Sequence, residues 1–197
     1  MVLSDLIQEV YTLTGRSDRV AETISAVKAA TLKAHRVDYF YKDVYENGIA
    51  FDNPEFYQQL VYRDLIPLWR AFKYIRYYDA LGQAAGKFLT LVTPETVLDG
   101  VYKDEKQDVI YVAGAVLQLK LSSKQKYFLL GCYLNPNITE AGYNSWIALD
   151  HPYAIIYDAA STVFKAVGKD EEAATYKVLV GLEYTQLVSS NIISEGF

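Results

Sequence analysis

Apolar side chains recur with a helical period at both ends of the chain. Residues 4–14 and 19–47 show the i, i+3, i+4 spacing of amphipathic helices, and Gly15 and Gly48 are suited to end them. Residues 152–191 show the same period near the other end. The pattern therefore predicts two helices at the start of the chain and two at its end.

The middle of the chain has the pattern of β-strands instead. The segment LWRAFKYIRYYD, residues 68–79, is rich in β-favouring residues, and AVLQLKLS, residues 115–122, alternates apolar and polar positions. The clearest hairpin signal is a pair of β-rich runs on either side of a polar turn at residues 122–126. We expect these two runs to pair with each other.

Helical and strand patterns occupy separate blocks, which predicts an α+β fold, mainly α. We expect one domain over residues 1–197. In it, helices at about 4–45 and 152–191 form a bundle, and a β-rich insertion spans about 50–140. The sequence VSSNIISEGF follows a long helix with nothing downstream to pack it, so residues 187–197 are predicted to form a C-terminal tail.

The charge balance limits the partners. The chain has 19 Lys and Arg against 24 Asp and Glu, for a formal net charge of −5 and a pI near 5.1. This argues against a general nucleic-acid binder, which concentrates positive charge on one face, but allows a negatively charged conduit for DNA. No apolar run reaches the ~20 residues that cross a bilayer, and the first residues lack the pattern of a signal peptide. We expect a soluble protein made in a cytoplasm, with no membrane partner.

Candidate catalytic and metal-binding residues are few. Cys132 lies in the apolar run YFLLGCYL and is interpreted as a small buried hydrophobe. His35 and His151 are far apart in the sequence, and neither a metal site nor a cofactor is predicted. Ser145, Asp150 and His151 have the residue types of a catalytic triad, but adjacent Asp and His side chains rarely reach its geometry. No catalytic residue is predicted.

The run Asp150-His151-Pro152 is interpreted instead as the start of a helix. Asp150 can cap such a helix, and Pro152 suits its first turn. An Ala-rich apolar segment with helical spacing follows. Trp146, just before this run, is predicted to anchor neighbouring structure.

Tyrosine is unusually frequent, with 18 residues in 197. A tyrosine has a large apolar body and a polar tip, so it suits a surface that is wet before assembly and buried after it. Arg63, Arg70 and Arg76 alternate with aromatic residues, which fits either a stacking platform for bases or an aromatic ladder with solvated cations. The candidate interface residues are Trp69, Tyr74, Tyr77, Tyr78, Tyr111, Tyr133, Trp146, Ile192, Ile193 and Phe197.

Three motifs, taken in order, resemble a known family. They are SDLIQEVYTLTGRSDRVAETISAVKAATLKAHRVDYFYKD at 4–43, KQDVIYVAG at 106–114 and SWIALDHPYAIIYDAASTVFKAVGKDEEAATY at 145–176. In this order they resemble the head-to-tail adaptor, or connector, proteins of tailed bacteriophages. The resemblance covers most of the chain and is weakest over 49–86 and the last dozen residues.

The resemblance implies an assembly role in a virion. Such adaptors are helical bundles with a β-rich insertion, and they form a ring, usually a dodecamer, beneath the portal protein. They also bind a tail nozzle or another tail protein, and DNA passes through their channel without sequence-specific binding. The protein would then be made in the host cytoplasm and reside at the head–tail interface, with residues 186–197 as the expected portal contact.

Two other function classes stay open on the sequence. A tyrosine-rich groove also suits a ligand- or carbohydrate-binding module, because sugars stack on aromatic rings. An enzyme with an unrecognised set of catalytic residues is the third possibility. The mass of the purified protein, with and without its neighbours, separates these hypotheses.

Overall fold

The computed structural model describes residues 1–78, 86–95 and 107–194, with side chains in the last helix described through Asn191. The chain forms two compact units. The helical unit comprises Met1–Asp43 and Asn135–Phe197, and the strand unit comprises Val44–Leu134. This arrangement confirms the predicted α+β fold, because helices from both ends of the chain pack together and the strands come from its middle.

The described regular elements form three blocks along the chain: helices, then strands with one short helix among them, then helices. In chain order they are α1 (Leu3–Thr14), α2 (Val20–His35), β1 (Val44–Ala50), β2 (Tyr57–Val61), α3 (Tyr62–Leu65), β3 (Trp69–Tyr77), β4 (Thr90–Leu91), β5 (Val109–Ala113), β6 (Val116–Lys120), β7 (Tyr127–Leu134), α4 (Trp146–Asp150), α5 (Pro152–Ala166) and α6 (Asp170–Ser194). A 3₁₀ turn at Tyr41–Asp43 leads into β1.

The helical unit packs α1, α2 and α6 against α5. Alanines are buried on both α2 and α5, and because they project little beyond the backbone they allow the helices to approach closely. These buried alanines are Ala26, Ala30, Ala34, Ala154, Ala159 and Ala160. Larger apolar side chains fill the remaining space, among them Leu6, Val27, Ile155 and Leu187, all fully buried.

The strand unit contains two sheets that share one core. One sheet has the order β1-β7-β3, and the other has the order β2-β6-β5-β4. Side chains of the first sheet, such as Phe128 and Leu130, cluster with Leu117 and Leu119 of the second. The core therefore lies between the two sheets.

The second predicted helix is too long. α2 ends at His35, and residues 44–50, including the predicted stop Gly48, form β1. The segment VDYFYKDVY between them is rich in aromatic and β-branched residues, which favour helices weakly. Residues 44–50 instead form backbone hydrogen bonds with β7, from Val44 opposite Tyr133 to Ala50 opposite Tyr127.

The predicted hairpin is also wrong. β6 does not pair with β7; it pairs with β5, from Val109 opposite Lys120 to Ala113 opposite Val116. Gly114 makes the tight turn, with a φ of +62 that glycine adopts without strain. The polar loop at 122–126 instead connects one sheet to the other.

The start of α5 follows the prediction in part. Pro152 occupies its first turn, and the residue that caps it is His151, whose side chain makes no capping hydrogen bond. Asp150 is the last residue of α4, and its carboxylate pairs with Lys42 at 2.6 Å instead of capping α5. Cys132 is fully buried, as predicted.

Residues 187–194, which the sequence analysis assigns to a C-terminal tail, are the last two turns of α6. Leu187 is fully buried in the core of the helical unit. The Asn191 side chain accepts a hydrogen bond from the Tyr41 backbone N–H at 3.1 Å and donates one to Asp38 at 3.3 Å. This part of α6 is therefore packed on the segment that follows α2.

Candidate assembly surfaces

β7 is the central strand of the three-stranded sheet, and its two faces differ. Alternate side chains of β7 are buried in the core of the strand unit, namely Phe128, Leu130 and Cys132. Because successive side chains of a strand point to opposite faces, Leu129, Gly131 and Tyr133 belong to the other face. This outer face is the first candidate surface.

Two irregularities in β3 add cations to the outer face. The pairing of β3 with β7 shifts register twice, once at Arg70 and once at Lys73. Such a bulge leaves one extra residue on the strand and redirects its side chain. Both extra residues here are cations, and both reach the same tyrosine on β7.

That tyrosine is Tyr133. The Arg70 guanidinium carbon lies 5.5 Å and the Lys73 Nζ lies 5.4 Å from the centroid of its ring. Arg76, further along β3, lies 5.5 Å from the ring of Tyr78. A cation over an aromatic ring at such distances is attracted by the ring quadrupole. We name this surface the cation–tyrosine face; it consists of Arg70, Lys73, Tyr74, Arg76, Tyr78 and Tyr133.

The face is also built around a glycine. The ring of Tyr74 lies directly over Gly131, so close that a Cβ added there would be 2.7 Å from the ring. The exposed ring of Phe88 meets Tyr74 edge-on, with centroids 5.6 Å apart. The absence of a side chain at Gly131 therefore leaves room for the Tyr74 ring over β7.

The charge of the face differs from that of the chain. The three strands β1, β3 and β7 carry three cations on this face and a single carboxylate, Glu46 on β1. The helical unit contains 14 Asp and Glu against 9 Lys and Arg, whereas the strand unit has ten of each. The acidic excess of the protein thus lies in the helical unit.

The other predicted interface residues of the strand unit have different surroundings. Trp69 and Tyr77 pack against the core, so they are not part of the cation–tyrosine face. Arg63 lies over Trp69, 5.5 Å from its ring. Tyr111, on the other sheet, donates a hydrogen bond to Gln118 at 2.6 Å. The alternating aromatic and arginine residues, which fit either a stacking platform or an aromatic ladder, therefore separate into a core-facing and an outward-facing set.

Trp146 lies in the helical unit and anchors its neighbours, as predicted. Its indole N–H donates a hydrogen bond to Asp43 at 2.8 Å, and its ring meets Phe40 edge-on at 5.2 Å. Lys42 lies 4.9 Å from the ring on the solvent side. Trp146 thus joins the start of α4 to the turn that leads out of the helical unit.

The same place holds a buried hydrogen-bonded chain that sequence reasoning missed. His35 Nδ1 lies 2.8 Å from Asp43 Oδ1, and His35 Nε2 lies 2.9 Å from Ser145 Oγ. No motif spacing indicates this set, because His35 ends α2 and Ser145 comes 110 residues later. The set Ser145, Asp150 and His151, considered from the sequence, does not form, since Ser145 bonds to His35.

The order Ser–His–Asp resembles a catalytic triad, but its surroundings favour a structural role. The Ser145 hydroxyl accepts a hydrogen bond from the Ala148 N–H at 3.2 Å and caps α4. His35 and Ser145 are 2% and 5% exposed, so a substrate has no access to the hydroxyl. The chain of bonds instead ties the end of α2, the turn at Asp43 and the start of α4 together.

The helical unit also exposes apolar residues that the sequence analysis did not select. On α6, Val178 and Leu182 are 67% and 59% exposed, and Gly181 between them has open space above it. Leu149 and Tyr153, near the start of α5, are exposed as well. A helical wheel drawn from Val178 onward would have found the α6 stripe, because the exposed residues of α6 beyond Lys177 are uncharged, unlike those of a usual surface helix.

The last predicted candidates are on α6 and beyond it. Ile192 and Ile193 belong to α6, but their side chains lie outside the described residues, and so does Phe197. Across the described ranges, no helix is long and apolar enough to cross a bilayer. The same ranges contain no group of three or more His, Cys, Asp and Glu placed to hold a metal ion.

No protein-family model and no curated protein matches this chain. The case for a function therefore depends on the geometry of the surfaces above and on the resemblance of the three sequence motifs. The two candidate surfaces with a defined geometry are the cation–tyrosine face of the strand unit and the exposed stripe of α6 in the helical unit.

Proposed function

We propose that this chain is a structural protein of a tailed-bacteriophage virion, a head-to-tail adaptor. Copies of it form a ring beneath the portal protein, a dodecamer in the resembled family, that joins the capsid to the tail and leaves a channel for DNA. Its partners are further copies of itself, the portal protein and a tail nozzle or other tail protein. It is made in the host cytoplasm and acts as a non-enzyme.

One observation supports the proposal most strongly. The two terminal motifs of the resemblance, 4–43 and 145–176, fold into one helical unit, and the middle motif 106–114 supplies β5 of a separate strand unit. That is the arrangement implied by the resemblance, a helical bundle with a β-rich insertion. The exposed aromatic and apolar side chains of both units support an assembly role, since such residues are enriched at interfaces.

The portal contact can be tested by truncation, and the structure decides where to cut. Removing 187–197 would take Leu187 out of the core and break the hydrogen bonds of Asn191. A chain that ends at Asn191 keeps both and removes only the segment from Ile192 onward. We expect this truncated protein to stay folded and to lose binding to portal-containing heads, because a contact repeated around a ring loses much avidity when every copy lacks it.

The measurement is co-sedimentation with portal-containing heads purified without tails, with the intact and truncated proteins side by side. Circular dichroism of the free proteins controls for folding. Equal incorporation of both would remove the portal role of the last residues. Failure of the intact protein to sediment with heads would refute the adaptor proposal itself.

A further inference from the structure

β1 lies at an edge of the three-stranded sheet and has few of the features that protect such edges. The sheet order is β1-β7-β3, so β7 covers only one side of β1. The seven residues of β1, VYENGIA, include no lysine, no proline and no bulge, and they carry a single charge, Glu46. Soluble proteins usually shorten, bulge or charge an edge strand, because an open row of N–H and C=O groups pairs readily with another strand.

The other edges in the described ranges are shorter or covered. β3 has two register shifts, and the segment around Phe88 lies along its outer side, where the Leu89 N–H donates to Ile75 at 2.9 Å. β4 has only two residues. β2, at the edge of the other sheet, has five residues against seven in β1. β1 is therefore the longest regular edge among the described strands.

The hydrogen bonds around β7 show which backbone groups of β1 point away from the sheet. Phe51, the residue after β1, donates its N–H to Lys126 at 2.9 Å, and hydrogen-bonded and non-hydrogen-bonded pairs alternate along antiparallel strands. On the other side of β7, Tyr127 accepts from the Tyr78 N–H at 2.9 Å, which fits the same alternation. The odd-numbered residues of β1 therefore bond to β7. The residues whose N–H and C=O point outward are Val44, Glu46, Gly48 and Ala50.

The outward side of β1 is open over its length. Within the described residues, no backbone group outside β7 bonds to β1. Glu46, Gly48 and Ala50 are exposed. Nothing lies within 4 Å of the place that a Cβ on Gly48 would take. A second strand can therefore approach this edge and bond to it.

The sequence of β1 matches itself when it runs in the opposite direction. In two antiparallel copies centred on Asn47, Glu46 of one copy faces Gly48 of the other, so the single charge of the strand meets no like charge. Tyr45 faces Ile49, an aromatic and β-branched pair of the kind that stabilises sheets. All seven residues find a partner, and outward groups meet outward groups. A register centred on Glu46 would instead oppose two carboxylates.

We propose that the free edge of β1 pairs with β1 of a second copy of this chain, antiparallel and centred on Asn47. The two sheets then join into one of six strands, in the order β3-β7-β1-β1-β7-β3. The contact is twofold and closes at two copies. It therefore forms a dimer of the free protein, is separate from the ring contact of the proposed function, and is testable with this protein alone.

Disulfide cross-linking tests the register of the pair. Asn47 meets its own counterpart in a non-hydrogen-bonded pair, where the Cα atoms are about 4.5 Å apart. A disulfide spans such a distance. The variant Asn47→Cys is made in a chain with Cys132→Ala, which removes the single native thiol. We expect it to form a covalent dimer under mild oxidation.

Glu46→Cys and Gln59→Cys in the same background are the matched controls. Glu46 faces Gly48 of the second copy, so the two thiols at position 46 are on the order of 8 Å apart, beyond the ~7 Å that a disulfide bridges. Gln59 is exposed at the centre of β2, the edge of the other sheet. We expect Asn47→Cys to cross-link about tenfold faster than either control. Equal rates for all three variants would overturn the proposed pairing.

Proline substitution tests the hydrogen bonds of the pair. The Gly48 N–H points outward, so Gly48→Pro removes a donor that the pair needs and that β7 does not use, and proline is tolerated at such edge positions. Gln59→Pro is the matched control on β2. There the Leu121 N–H donates to Phe56 at 2.8 Å, and the same alternation turns the Gln59 N–H outward.

Sedimentation velocity at rising protein concentration measures the effect of each proline, and circular dichroism controls for folding. The native chain should dimerise. Gly48→Pro should weaken dimerisation at least tenfold, whereas Gln59→Pro should leave it unchanged. Equal weakening by both substitutions, or by neither, would contradict the proposal.

Head binding separates this pair from the adaptor function. If the protein joins portal-containing heads but forms neither a dimer nor the disulfide at position 47, the pairing is refuted and the adaptor function stands. If the dimer and the disulfide form in a protein that does not join heads, the pairing is supported and the adaptor function is refuted.

Discussion

The two units of this protein use their smallest residues in different ways. In the helical unit, buried alanines such as Ala30 and Ala159 sit where helices meet and bring the backbones close together. In the strand unit, the ring of Tyr74 covers Gly131, so the small residue makes room for an aromatic side chain and not for a neighbouring helix. The first use builds a core, and the second builds the outer surface of a sheet.

The two units also differ in where their packed cores and their charged side chains lie. The helical unit has a core of aliphatic and small side chains, and it holds the acidic excess of the chain. The strand unit has equal numbers of acidic and basic residues, and three of its ten cations lie together with tyrosines on one face. A substitution in the core of one unit should therefore leave the folding of the other unit measurable.

The largest effect is expected for Phe128→Ala. Phe128 is 1% exposed in the core of the strand unit, and removing such a ring costs about 3–5 kcal/mol. The helical unit does not contain this residue, so we expect denaturant to unfold the strand unit first, with the helical circular dichroism lost only at higher concentration. Leu129→Ala, one residue along and on the outer face, is the matched control and should lose much less. A single transition for every probe would show that the units do not unfold separately.

The next largest effect is expected for His35→Ala in the helical unit. It leaves the buried Ser145 hydroxyl and Asp43 carboxylate each without one partner, and about 1–3 kcal/mol is lost per group. His151→Ala is the control, because the His151 side chain makes no capping bond. Urea titrations of both variants compare the free energies of unfolding. A loss for His151→Ala as large as that for His35→Ala would contradict the assignment of the buried chain.

A third prediction concerns the contact between the Tyr74 ring and Gly131. Gly131→Val should destabilise the strand unit by about 1–3 kcal/mol, because its side chain collides with the Tyr74 ring. Tyr74→Ala in the same chain should recover part of that loss, since it removes the collision. A double-mutant cycle in urea measures the coupling between the two positions. Additive losses would mean that the ring does not rest on Gly131.

The smallest effect is expected from titration of Cys132. Burial raises the pKa of its thiol to about 11, from an ordinary value of 9.0. Above pH 9 the unfolded chain loses this proton before the folded one, so the stability of the strand unit should decline as the pH rises from 9 to 11. The same burial should make Cys132 react with a thiol reagent at about pH 8 only when the strand unit opens. Cys132→Ala is the control, and an unchanged pH slope in it would assign the effect to another group.

Sequence patterns predicted the longer helices of the helical unit well, because most of them repeat an apolar stripe along one face, whereas the five-residue α4 is too short to do so. The period placed α1, α5 and α6 near their observed positions, and Pro152 marked the first turn of α5. The helical period placed the end of α2 too late, because residues 44–50 pair with β7. A partner so distant along the chain leaves no local pattern in the sequence. The same is true of His35 and Ser145, which meet only in the folded chain.

In the strand unit, β3, β5, β6 and β7 were visible as β-rich runs, but β1 was predicted as helix and the partners of the visible strands were not found. The alternation in β6 is clear in the sequence, yet its pairing with β5 depended on the turn at Gly114, which outweighed the longer polar loop. The tyrosines of β3 were found from their frequency and their alternation with arginines. Their division between core and surface is set by the bulges at Arg70 and Lys73, which shift the side-chain alternation and leave no periodic signal.

The interleaved connectivity of the two units has a consequence for the order of events on the ribosome. The strand unit is one continuous stretch, Val44–Leu134, whereas the helical unit needs both Met1–Asp43 and the segment from Asn135 onward. During synthesis the strand unit can close as soon as β7 has emerged, while α1 and α2 wait, their apolar faces uncovered, until α5 is made. Domains fold as units while the chain grows, so the helical unit, although it begins first, is completed last.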